Sequence, residues 1–514
     1  MSDSILLLEI DAWNGASITT LRFGSHTIVT RASDTPANTK YLGRIADAGR
    51  MQRAIYDGGG VLGAPHVASG AIILDNQDGA LDYLYGYGFD GRAFRLLELP
   101  GRSVSLASAT TLMSGVLDGI DSGNAWSEIR VRIRDARSVI DKALLTERYA
   151  GTSVAINIGV EGEADLKGKI KPRVFGAAPN IAPVLVNQYG LIYQVSVSGV
   201  SSIVVYDGGL PLDNVGDYAS LSALEAATIP RGSYGTCLAL GLFKLGGSAV
   251  FDVTADVVEG ATLSERSAAK IARRILSIVD IGSLTIDEAS FTQLHSDNPA
   301  EVGVFVESDE SALTVIGNVL QSIGAALIPT DDGALQVIRI VAPTGTPIKT
   351  YTLRDLIGEG SIALGKGPTQ EGDGVPAWSV VVNWGRVWQT QQSGQLADVS
   401  DARETYLATQ TRQAVAQDAA IKNAHPSAAE ITVDTLLTTQ ADAEAEAARR
   451  FAMHSVRRDY PTIVVPRNRG NVALGAIVEM KVPRFGYSVG KTFIVVGRND
   501  DFNNQTIELS LWGG

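Results

Sequence analysis

Three glycines at Gly86-x-Gly88-x-x-Gly91, inside "YLYGYGFDGRAFRLL", have the spacing that lets a backbone close on a pyrophosphate at a helix N-terminus. That chemistry needs a preceding strand, a following helix and an acid about 20 residues further on. Here "RAFRLLEL" is short and ends at Pro100, Glu98 comes too early, and the next acid is Asp118. In a chain with 54 glycines the triplet reads as a turn. The acid-rich "DNQDGALD", Asp75 to Asp82, invites comparison with a calcium loop, which needs an oxygen ligand at alternate positions before its glycine. Counting back from Gly79 gives Asp78, Asn76 and then Leu74, so the first ligand is missing and a turn between strands is expected. His26, His66, His295, His425 and His454 show no paired ligand spacing. Serines in "GVSSIV" and "GTSVAI" lack the G-x-S-x-G elbow. Asp331 and Asp332 fall at a hairpin tip, where solvent rather than a raised pKa is expected, and general acid–base work needs carboxylates in a shaped cleft. The sequence therefore assigns no catalytic, cofactor-binding or metal-ligating residue and no cofactor, and a protein that is not an enzyme is expected.

The elements carrying these residues are mostly strands. "SEIRVRIRD" alternates, with Ile129, Val131 and Ile133 on one face and Arg130, Arg132 and Arg134 on the other. Such a basic row could touch phosphates, but a solvated sheet face or a subunit contact is the better reading. "AWSVVVNW" puts Trp378, Val380, Val382 and Trp384 on one face of another strand, and the segment from "LGAIVEMKV" to "IELSLWG" reads as a three-stranded meander. Three helices interrupt. The first opens at the Thr262-x-x-Glu265 capping box and carries Ala268, Ile271, Ala272, Ile275, Leu276 and Val279 at helical spacing. The second runs from about Asp309 through Val315, Ile316, Val319, Leu320 and Ile323 to Gly324, then into a hairpin turning at Asp332-Gly333. The third, over 439–458, has a stripe of Ala445, Ala448 and Ala452 suited to lying against a sheet. Strands at both ends with helices between give an α+β, β-rich chain rather than an alternating βαβ one.

Composition sets the outer limits. A chain of 514 residues with 45% hydrophobic content can build several cores. A net charge of −13 argues against gripping nucleic acid through phosphate neutralisation. The single cysteine, Cys237, excludes an internal disulfide and a thiolate zinc site, which fits assembly in a reducing cytoplasm. "MSDSILLLEIDAW" has an acidic rather than basic start, so no secretory signal is expected, and no run approaches the ~18 apolar residues of a membrane span.

Several segments carry a family resemblance in order along most of the chain. "AIILDNQDGALDYL" with "GFDGRAFRLLEL", "DLKGKIKPRVFGAAPNIAPVLVNQYGLIYQV", "GSYGTCLALGLFKLGGSAVFDVTADV", "WSVVVNWGRVWQTQ" and the closing "VEMKVPRFGYSVGKTFIVVGRNDDFNNQTIELSLWG" together resemble the tail or baseplate hub protein of long-tailed bacteriophages with flexible, non-contractile tails. The resemblance implies a homotrimeric ring at the distal end of the tail. It implies two related barrel-like domains per subunit that mimic the tail-tube fold, so that three subunits present six barrels to a six-fold tube or distal tail protein ring. It further implies that a central fibre or spike protein sits below and that phage DNA passes through without specific binding. The acid excess suits such a conduit.

The expected organisation is a β-rich tail-tube-like domain over 1–150, a β-rich middle domain over 151–261, an α+β domain over 262–345, and a second barrel-like domain over 346–514 with its packed helix. The expected location is the distal tail of the virion, assembled in the host cytoplasm without membrane insertion. Other readings are a hexameric distal tail protein, a receptor-binding protein and a glycan-cleaving tail component. Two segments stand apart. "YDGG" at 206–209 is expected to open a small subdomain, and "ETYLATQTRQAVAQDAAIKNAH" to be a helix on a neighbour or a connector.

Overall fold

The computed structural model describes residues 4–123, 126–156, 158–282, 284–358 and 362–514. The chain is α+β and β-rich, with several separate sheets. Its first large sheet has nine strands, ordered Ile28–Val29, Lys40–Gly43, Ile18–Gly24, Ile5–Trp13, Ala93–Leu99, Thr110–Asp121, Glu128–Arg134, Ser69–Asp75 and Ile45–Asp47. The alternation read in Glu128–Arg134 holds, since Ile129, Val131 and Ile133 are buried with Leu74, Leu96 and Phe94 in one core. On the outer face the basic row is answered by the adjacent strand: Arg134 lies 3.5 Å from Asp118 and Arg132 lies 3.6 Å from Asp121.

Two five-stranded sheets follow. One centres on Arg173–Ile181, Ser202–Asp207 and Val253–Val258, and the other on Ile192–Gln194, Ser233–Cys237 and Leu242–Leu245. The "YDGG" turn uses two left-handed glycines, Gly208 and Gly209, to join Ser202–Asp207 to Leu210–Pro211 within the first of these sheets.

A helical layer shares its core with a three-stranded sheet. Helices Ala268–Ile278, Glu288–Asp297 and Ala312–Gln321 and the hairpin Ala325–Pro329/Leu335–Arg339 bury Ile271, Ile275, Ile316, Val319 and Leu327 together with Val380 and Val382. The latter belong to Ser379–Trp384, the central strand between Arg412–Gln417 and Glu430–Asp434. Helix Gln440–His454 packs against Ser379–Trp384 and Arg412–Gln417.

Four local readings change. The Thr262–Glu265 box closes a separate 3-10 turn, Leu263–Arg266, where Glu265 accepts from the amides of Ala261 and Thr262; Ser267 is extended, so the helix proper begins at Ala268. Helix Glu288–Asp297 was not legible because it buries only Phe291 and Leu294, too few for a periodic stripe. The 404–425 segment holds part of helix Asp401–Ala408, the strand Arg412–Gln417 and helix Ala419–Ala424. On Gln440–His454 the Ala445, Ala448 and Ala452 stripe faces outward, and Ala443, Glu446, Ala447, Arg450, Met453 and His454 are the buried face. Glu446 tolerates burial because Arg450 Nε and Arg449 Nη2 donate to it at 2.7 and 2.6 Å.

The second large sheet has seven strands and contains the closing meander. Ile477–Met480, Lys491–Asp501 and Thr506–Gly513 are consecutive antiparallel neighbours, continued by Tyr460–Pro466 and Ile362–Gly365 on one side and Lys349–Tyr351 on the other. Its seventh strand, Arg50–Ala54, comes from the opposite end of the chain and pairs with Lys491–Asp501.

Candidate functional site

That exchanged strand defines the most heavily built polar site. After Ile45–Asp47 the chain turns at Gly49, whose φ of +74° and approach to Ala71 O leave no room for a Cβ. It then crosses to the seven-stranded sheet as Arg50–Ala54, in register from Arg50 opposite Asp501 to Ala54 opposite Gly497, and returns to the nine-stranded sheet as Ser69–Asp75. The register sets Arg53 directly across from Arg498, a like-charge pair that would oppose pairing on its own.

Asp500 resolves this conflict. Fully buried, it accepts from Arg53 Nη2 at 2.8 Å and from Arg498 Nη2 and Nε at 2.8 and 3.0 Å. Asp331, from the tip of the 325–339 hairpin, lies 2.5 Å from Arg53 Nη1 and 3.3 Å from Arg498 Nη1. Burial works against charge on Asp500, but the two guanidiniums outweigh it and hold its pKa below the ordinary carboxylate value. Burial likewise opposes charge on Arg53, and Asp500 and Asp331 outweigh it to raise its pKa. The expectation of a solvated acid pair at this hairpin thus fails for Asp331, because the tip is docked on the exchanged strand; Asp332 is exposed.

A second fastening lies in the loop that leaves Ala54. The amides of Val61 and Leu62 donate to Glu371 Oε1 at 2.6 and 3.0 Å, and Tyr460 Oη donates to Glu371 Oε2 at 2.8 Å. Trp512 Nε1 donates in turn to Tyr460 Oη at 3.1 Å. Burial pushes the Glu371 carboxyl up, against the three donors that pull it down. Tyr56 Oη reaches Ala325 O at 2.9 Å.

A cavity of about 580 Å³ opens beside this seam, lined by Arg53, Tyr56, Asp57, His66, Lys366 and Tyr460 among others. His66 Nδ1 is 2.7 Å from Asp57 there, but its Nε2 faces Gln52 O at 3.3 Å, so both ring nitrogens are engaged. Arg53, Arg498, Asp500 and Asp331 bond one another across the seam, with Arg53 Nε left without a partner, and the arrangement fastens the first sheet, the hairpin and the last sheet together.

The motifs that suggested chemistry lie elsewhere. Gly86 ends a 3-10 turn, Gly88 exchanges two 2.9 Å backbone hydrogen bonds with Trp13, and the strand Ala93–Leu99 follows Gly91 where a dinucleotide site needs a helix. In the Asp75–Asp82 turn, Asp78 is held by Arg44 at 2.6 Å and Asn76 accepts from the Leu81 amide. His295 meets Ser267 at 2.8 Å, His26 meets Ser25 at 3.4 Å, His425 is exposed and His454 is buried. Cys237 is buried. Among the described residues no group of three or more His, Cys, Asp or Glu could hold a metal ion. No described helix is long and apolar enough to cross a membrane. Sequence reasoning missed Arg53, Glu371, Arg498 and Asp500. The alternation of Arg498 and Asp500 in "IVVGRNDDF", charged residues on a strand otherwise apolar, was the available signal.

No family model matches this chain, and no curated protein matches it. Several of the solved structures it is similar to are tail proteins. It is similar to the tail protein from Neisseria meningitidis MC58, at 10% identity and a TM-score of 0.44 over 99% of this chain and 96% of that one. It is similar to the 43 kDa tail protein of prophage MuSo2 from Shewanella oneidensis, at 8% identity and a TM-score of 0.41 over 99% and 98%. A prophage tail protein from Listeria monocytogenes EGD-e matches at 8% identity and a TM-score of 0.39 over 100% and 95%.

Proposed function

We propose that this chain is a structural tail protein of a long-tailed phage, the hub that closes the distal end of a non-contractile tail. In this reading three copies form a ring that adapts a six-fold tail tube or distal tail protein ring to a three-fold central fibre or spike, around the channel through which DNA leaves. The observation that carries it is the exchanged strand Arg50–Ala54 with its buried Arg53–Asp500–Arg498–Asp331 cluster. A subunit that must present two large sheets to one partner under mechanical load needs those sheets fastened, and this chain fastens them by backbone pairing, by ion pairs and by the Glu371 clamp. The ordered sequence resemblances support the same reading.

The segments 1–150, 151–261, 262–345 and 346–514 are then the units proposed, with Arg50–Ala54 lent by the first to the last and the 379–434 strands of the last sharing the core of the third. The buried charges act as fasteners and the chain works without catalysis and without a cofactor. It is assembled in the host cytoplasm, does not insert into a membrane, and lets DNA pass without gripping it, as its −13 charge favours. The test is to withhold the chain during phage assembly and, separately, to label it in finished particles. The reading expects filled heads without tails in the first case and label at the distal tip in the second. Normal tails without the chain, or label along the tube, would overturn it.

A further inference from the structure

An exposed tryptophan and an arginine-bearing aromatic pocket of the described chain complement one another. Trp126, in the turn between Thr110–Asp121 and Glu128–Arg134, is 94% exposed, far above the next aromatic side chains. A tryptophan held in water on a hairpin tip is the side chain most often found as an interface anchor. Beside it Glu128 has no cation paired with it among the described residues, while Asp121 also faces Arg132.

The pocket lies where the 173–181 and 303–306 strands meet the 379–384 strand and helix 401–408. It has a volume of about 310 Å³ and is walled by Trp384, Trp388, Tyr406, Arg386 and Arg412, with Gln440 at its edge. The Arg386 guanidinium lies 4.3 Å from the Trp388 ring centre, and that of Arg412 3.9 Å from Tyr406. Neither arginine is paired with a carboxylate among the described residues; Arg412 donates only to the carbonyls of Gly385 and Tyr406, and burial lowers its pKa. The Trp384 indole N–H is buried with no acceptor. Two uncompensated guanidiniums and an orphan donor in an aromatic pocket ask for a flat apolar group that brings acceptors with it. The volume falls within the range of ligand pockets, about 300–1,000 Å³.

We propose that Trp126 of one copy seats in this pocket of a second copy, stacked among Trp384, Trp388 and Tyr406, with Glu128 answering Arg386 and Arg412. The pocket is a basic spot, and the Glu128 carboxylate beside Trp126 is the complementary charge at the hairpin tip, while Arg132 and Arg134 further along the strand are held by Asp121 and Asp118. Because the hairpin and the pocket are different surfaces, the contact is heterologous and head-to-tail, the type that makes a ring when the rotation between copies closes. The inference rests on the ring reading above for the presence of a second copy.

The single native cysteine, buried Cys237, makes disulfide trapping a clean test. Ser127→Cys and Gln440→Cys chains, both keeping Trp126, are purified separately, mixed and mildly oxidised. A covalent heterodimer is expected from the mixture and from neither chain alone, with a yield roughly tenfold lower when Arg386→Glu is added to the Gln440→Cys chain, the scale of an interface hot spot. Absence of the heterodimer, or a yield indifferent to Arg386→Glu, overturns the inference. The native mass of the wild-type chain is measured alongside: a three-fold mass without the cross-link removes this contact and leaves the ring, whereas a lone-chain mass without it removes both.

Discussion

Replacing Asp500 by asparagine should unfasten the seam. The side chain is fully buried and receives three donations from Arg53 and Arg498, each about one-twentieth exposed. Asparagine keeps the volume, so no cavity contributes, but it leaves two buried guanidiniums facing each other across the strand pair. Breaking a buried ion pair from one side costs about 3–5 kcal/mol. Asp331 remains to hold both arginines from its half-buried position, which places the expected loss near ~3 kcal/mol, the lower end of that range. With a urea dependence near ~3 kcal/mol per molar, the unfolding midpoint should fall by about 1 M. Amide exchange should quicken together in Arg50–Ala54 and its partner 497–501, because their ladder is shared. The carboxyl's pKa is depressed in the fold, so its contribution is present above the unfolded value of about 3.9 and is lost as pH falls through the lower folded value; the gap between wild type and variant should therefore be flat from about pH 8 to pH 5. A loss under ~1 kcal/mol, or one equal to that of exposed Asp332→Asn, would show that the seam does not depend on Asp500.

Three further outcomes concern Glu371, His454 and the faces of helix Gln440–His454. Glu371→Ala orphans the amides of Val61 and Leu62 and should cost about 2–4 kcal/mol in urea unfolding. Because burial raises the Glu371 pKa in the fold, the wild-type clamp should strengthen as pH falls from above the folded value toward the unfolded one near ~4.3, a dependence that Glu371→Gln should abolish. Burial, aided by Arg450, Arg458 and Arg449, holds the His454 pKa down at about 3, so its neutral form stabilises the fold fully above the unfolded value near ~6.5 and that stability drains as pH falls below it, by up to ~1.4 kcal/mol per pH unit; thermal unfolding of His454→Gln should show a flatter slope between pH 6.5 and 5. On the same helix, Ala448→Glu on the outward stripe should change stability by less than ~0.5 kcal/mol, whereas Ala447→Glu places an unpaired charge in the core and should prevent folding to a compact chain by circular dichroism.

Strands with strict alternation were the legible part of the fold. Ile129, Val131 and Ile133 declare their face because every second residue is apolar, and the hairpin at Asp332-Gly333 declares itself by a turn that only a left-handed glycine favours. Helix Ala312–Gln321 was visible for its continuous apolar stripe, ended by left-handed Gly324. What stayed hidden depended on distant partners. Nothing in "RMQRA" says that it leaves one sheet for another some 450 residues away, and the burial of Arg53 makes sense only once Asp500 and Asp331 are beside it. The outward turn of the Ala445 stripe was misread for a related reason: small residues suit close packing, but Glu446 and Arg450 neutralise each other and so can occupy the inner face instead.

The most direct test of the account is the mass of the intact assembly, taken by native mass spectrometry of the full-length chain over a concentration series in gentle salt and checked against copies per particle in assembled virions. A trimeric hub gives three copies in both. Six copies would point to a distal ring protein, and a single copy per particle would contradict the hub outright.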